Sequence, residues 1–69
     1  LTGSELREVR LHAGHTQREF GVRLGYRDGR STEVLIGRLE REERILNPRF
    51  TLLVERTFET PNFFAAPTL

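Results

Sequence analysis

Apolar positions recur at helical spacing in four stretches, separated by glycine, proline and polar turns. In the first, Thr2 and Glu5 form a capping box, Leu1 and Leu6 a hydrophobic staple, and Leu6, Val9 and Ala13 share one face. Gly14 supplies the left-handed residue that closes this helix. In the second, Thr16 caps, Glu19 completes another capping box, Phe20 and Leu24 form the apolar face, and Gly25 ends the helix. Gly21 lies between those two apolar residues. An interior glycine costs about 1 kcal/mol relative to alanine, so its presence here predicts a close approach by another helix.

From Tyr26 to Ser31 the chain is polar, and Asp28-Gly29 signals a turn. A third helix is expected to begin near Ser31 or Thr32, with Leu35, Ile36 and Leu39 inward and Glu33, Val34, Gly37, Arg38 and Arg41 outward. The run Glu40 to Arg44 carries no glycine stop, so the end of this helix falls anywhere between Arg41 and Ile45. Asn47 then caps a fourth helix, Pro48 takes its first position, and Phe50, Leu53, Val54 and Phe58 form its buried face. Pro61 is expected to end it. Residues 1–60 thus read as one all-α domain, a compact bundle of four or at most five helices, and residues 61–69 as an apolar tail that docks on something or stays loose.

Composition narrows the function classes. With 69 residues the chain has room for one small core, and with no cysteine it has neither disulfides nor thiolate metal sites. No apolar run is long enough to span a membrane, and no signal peptide pattern opens the chain, so an intracellular location is expected. Net charge is only +1, and the sum matters less than its distribution. All eleven cations are arginine. Genomic base composition is the simpler source of that bias, although arginine also has the fork geometry that suits phosphate and guanine.

Two short helices joined by a tight glycine turn, a connector, and a third helix with a polar outer face make a helix-turn-helix pattern. The series Glu5-Leu6-Arg7, Arg10, Gly14, Thr16-Gln17-Arg18-Glu19-Phe20-Gly21, Leu24-Gly25 and Ile36-Gly37-Arg38-Leu39-Glu40-Arg41 resembles the phage-repressor and Cro-like (Xre-type) helix-turn-helix family, over residues 2 to 58. The resemblance implies a lambda-repressor-like fold and a cytoplasmic regulator of prokaryotic or phage origin that binds double-stranded DNA. It puts Gln17 beside a phosphate at the start of the second helix, and Thr32, Glu33, Val34, Gly37 and Arg38 at the exposed positions of the recognition helix; Ser31, just before them, is added to the expected DNA-binding set. Arg38 is the first choice for a guanine contact. Glu33 is repelled by phosphates unless it accepts from a cytosine amino group, so it reads equally as negative selectivity or as a contact. Arg10 and Glu40 match a family pair that bridges the first and third helices. Arg18 and Arg41, with Arg27, Arg30, Arg44 and Arg49 as backbone contacts, complete the expected DNA-binding set.

Two features depart from the family pattern. The connector after Leu24-Gly25 is roughly five residues longer than the usual short turn of such a motif. It adds Arg27 and Arg30, readable as phosphate clamps, as side chains reaching a minor groove, or as part of a solvated loop. Glu42 stands where the family commonly has the glycine that ends the third helix, so a longer helix is expected.

Other chemistry is weakly supported. His12 and His15 are separated by the Gly14 break and lack a third ligand, so no metal or other cofactor is expected. No Gly-x-Ser-x-Gly motif is present, and the chain is not expected to be an enzyme. Phe58, Phe63 and Phe64 are candidate contacts of a homodimer on an inverted repeat, since one module this small reads few base pairs. The expected function is therefore a sequence-specific DNA-binding regulator of the repressor type. The rival is a protein-interaction module, or an antitoxin-like protein, that uses the same scaffold to hold a partner such as a toxin or polymerase.

Overall fold

In the computed structural model, which describes residues 1–58, the chain forms α1 (Gly3–His12), α2 (Gln17–Arg23), α3 (Arg30–Glu40) and α4 (Pro48–Phe58), with no strand among the described residues. The domain is all-α, as its periodicity predicts. Both capping boxes form: Thr2 accepts from the Glu5 N–H and Thr16 from the Glu19 N–H, while each glutamate returns a bond to its cap. At α4 the Asn47 Oδ1 accepts from the Phe50 N–H at 2.8 Å. The expected end of α4 at Pro61 and the whole 61–69 tail lie outside the described residues.

The core is Leu6, Val9, Phe20, Leu24, Ile36, Leu39, Phe50 and Val54, with Leu1, Leu35, Leu46, Leu53 and Phe58 packed around it. Every helix thus contributes an apolar face, and removal of that surface from water is the main stabilising force. Ala13, expected on the inward face of α1, is exposed, because α1 has already ended at His12.

α2 and α3 meet at close range. A Cβ at Gly21 would overlap the Thr32 methyl group, so only glycine permits this approach. Thr32 is consequently buried, not exposed as the resemblance implies, and its hydroxyl donates to the Arg27 carbonyl at 2.5 Å. The same bond ties the connector to α3. This helix begins at Arg30, one or two residues earlier than expected.

Its end also differs from expectation. Instead of running on through the charged segment, α3 stops at Glu40, with Arg41 as cap and Glu42 in the left-handed region at φ 59°. The Glu42 N–H donates to the Leu39 carbonyl and the Glu43 N–H to the Arg38 carbonyl, a Schellman closure. Gly14 and Gly25 make the same closure after α1 and α2. Glu42 has a compensation that glycine lacks: its Oε2 accepts from the Gly3 N–H at 2.9 Å, fastening the end of α3 to the start of α1.

Candidate nucleic-acid interface

Behind the outer face of α3 lies a charged network that fixes the three-helix geometry. Arg10 of α1 donates through Nε to Glu40 Oε2 at 2.5 Å and through the guanidinium NH2 nitrogen to Oε1 at 3.1 Å. Gln17 Nε2 donates to the same Oε1 at 3.2 Å, and the other terminal nitrogen of Arg10 donates to the His15 carbonyl. The Glu40 side chain is only 4% exposed and that of Arg10 11%, so both charges are nearly removed from water. A pair this buried orients α1, α2 and α3 more than it adds net stability. The Arg10 and Glu40 pairing noted in the sequence is therefore present.

Gln17 is thereby turned toward α3, and its amide lies over Gly37. Gly37, expected outward, is buried because the side chains of Gln17 and Arg41 cover it. What α3 offers to solvent is Arg30, Ser31, Glu33, Val34 and Arg38, with Arg41 beside them at its C-cap. At about 100° per residue, Arg30, Val34, Arg38 and Arg41 form one stripe down the helix.

Arg30 occupies the first position of α3, and among the described residues no side chain caps that end. A cation there faces the positive end of the helix dipole, an arrangement that disfavours the free helix and suits an incoming anion. Arg38 is exposed in the last turn, with no carboxylate within ion-pairing distance among the described residues. Arg41 differs, since its Nε and NH2 groups donate to the two carboxylate oxygens of Glu43 at 3.0 and 3.3 Å. That pairing raises the Arg41 pKa and holds the Glu43 carboxyl below the ordinary glutamate range.

Arg18 and Glu33 form a half-exposed ion pair at 3.3 Å between α2 and α3. With Arg10, Thr16 and Gln17 they line a hollow of about 450 Å³. Arg27, Arg44 and Arg49 are exposed in the connector, in the loop after α3 and at the start of α4. Of the sequence-derived set, then, α3 brings Arg30, Ser31, Val34 and Arg38 together, while Thr32 and Gly37 are buried beneath the surface.

Phe58 is occupied within its own chain: its ring stacks on Phe20 at 4.7 Å, with the Arg23 guanidinium 4.8 Å from its centroid. The other two candidate dimer residues, Phe63 and Phe64, lie outside the described residues. A separate groove of about 380 Å³ runs between α3 and α4, with Leu35, Ile45 and Leu53 on its walls beside Arg44, Asn47 and Arg49. Ile45 is 89% exposed. Among the described residues no group of three or more His, Cys, Asp or Glu side chains is placed to hold a metal, and no helix is long and apolar enough to cross a membrane.

No protein-family model, no curated protein and no solved structure matches this chain.

Proposed function

We propose that this domain is a sequence-specific double-stranded DNA-binding regulator of the repressor type, with α2 and α3 as its helix-turn-helix. The observation that carries the reading is the outer stripe of α3. Arg30, Val34 and Arg38 project from a helix whose inner face is locked against α2 at Gly21 and Thr32. Arginine donates in a fork to guanine O6 and N7, and a valine methyl fits the thymine C5-methyl group. Arg27, Arg44 and Arg49, all exposed, are suited to phosphates and supply affinity without sequence preference. The chemistry agrees with the resemblance to the phage-repressor and Cro-like family. A homodimer on an inverted repeat extends the number of bases read.

Selection from a random duplex pool at two salt concentrations tests this reading. Enrichment of an inverted repeat, with half-sites about one helical turn apart and affinity falling steeply with salt, is the expected result. Failure to enrich any sequence at low salt overturns it. A second reading, a protein-interaction module, is favoured by the open groove at Leu35, Ile45 and Leu53. Binding through that groove would depend on salt only as far as Arg44 and Arg49, which also line it, take part.

A further inference from the structure

We infer that Glu33, with Arg18 as its counter-ion, selects a cytosine in each half-site. The inference rests on the DNA-reading proposal above and deepens it. Glu33 lies in the first turn of α3, the part of a recognition helix that reaches base edges in the major groove. A bare carboxylate at that place is repelled by the phosphates on both sides of the groove. Here its Oε1 is held by Arg18 at 3.3 Å, whose guanidinium comes from α2 and brings the local charge close to zero. Among the described residues no donor reaches Oε2, which leaves that oxygen for a hydrogen bond from outside.

Among major-groove edges, cytosine N4 and adenine N6 carry amino donors. Adenine presents its N7 acceptor beside N6, which a carboxylate cannot satisfy. Cytosine has no such adjacent acceptor on its own ring, so a carboxylate favours it. Both partners are half-exposed, 46% for Arg18 and 47% for Glu33, and stand at the edge of the hollow with Gln17 and Thr16. The pair is thus accessible and held by few contacts, as a reading group that adjusts to a base edge must be.

The experiment is the duplex selection repeated with the wild type, Glu33→Gln and Glu33→Ala. In the wild type, one position per half-site should be held as cytosine by about 10-fold over the other bases. Glu33→Gln should move that position toward adenine, because an amide pairs with both N6 and N7, and leave the other positions as they were. Glu33→Ala should flatten it. Unchanged preferences in both variants, or a uniform gain in affinity for all sequences, would overturn the inference and make Glu33 a bulk negative charge. If the wild type enriches nothing, the DNA-reading proposal itself fails, which is a distinct result.

Arg18 is a positioning residue in this account, and its variants read that role separately. Arg18→Ala should lower affinity for the selected duplex more in the wild type than in the Glu33→Ala background. Equal losses in the two backgrounds would remove Arg18 as the counter-ion.

Discussion

The two faces of α3 are built on different physics. Its inner face, Thr32, Leu35, Ile36 and Leu39, is fixed by contact distances: Ile36 is fully buried, and Thr32 fills the place of the side chain that Gly21 lacks. The outer face, Arg30, Val34 and Arg38, extends into water and carries charge where packing imposes nothing. A change inside should therefore cost stability with little direct effect on recognition, whereas a change outside should do the reverse.

The sharpest break comes from the buried network at the edge between these faces. Glu40→Ala leaves the Arg10 guanidinium, only 11% exposed, without its carboxylate, and should cost about 3–5 kcal/mol in urea unfolding. A cost below 1 kcal/mol would mean that Arg10 escapes to water and that the network does not orient the helices. Next, Gly21→Ala adds a methyl group against Thr32, which is pinned by its bond to the Arg27 carbonyl. Overpacking should cost about 1–3 kcal/mol, in opposition to the roughly 1 kcal/mol that alanine contributes through helix propensity. A more stable variant would show that α2 and α3 separate easily.

On the outer face the expectation inverts. Arg38→Ala should change stability by less than about 0.5 kcal/mol yet relax base preference at one position per half-site, whereas Arg49→Ala should weaken all duplexes about equally. Selection followed by titration of matched and mismatched duplexes separates the two patterns.

The smallest effect is electrostatic. The Glu19 carboxyl is held below the ordinary glutamate range, chiefly by the Thr16 backbone N–H that it accepts in the capping box. A lowered folded-state value contributes stability above the unfolded glutamate pKa and loses it as pH falls through the folded value. Thermal unfolding from pH 6 downward should accordingly show a slightly shallower acid loss in Glu19→Gln than in the wild type. Parallel curves would contradict the assignment.

Much of this fold is legible in the residues themselves. The capping boxes at Thr2 and Thr16, the glycine closures at Gly14 and Gly25 and the Asn47 cap are local chemistry, with donor and acceptor within a few positions. Gly21 also announced a close helix contact, since a costly interior glycine needs a tertiary reason. What escaped the sequence depends on partners far along the chain. Thr32 and Gly37 share the polar or small character of outward positions, yet the first is buried by α2 and the second by side chains of Gln17 and Arg41. The end of α3 was hidden for the same reason: a left-handed Glu42 is supported by an N–H at Gly3, which no local pattern reveals. Spacing placed Arg38 and Arg41 outward and the resemblance alone singled out Arg49, but the Arg18 and Glu33 pairing needed two helices in place.

The outer face of α3 as a DNA-reading surface is the central claim, and backbone amide chemical-shift mapping during titration with a 20-base-pair duplex tests it most directly. The account expects the shifts to concentrate at residues 30–41 and near Arg27, Arg44 and Arg49, and to fade as salt rises. Shifts confined to Tyr26, Ile45 and Leu53, with Arg30, Val34 and Arg38 unmoved, or none at low salt, would contradict it.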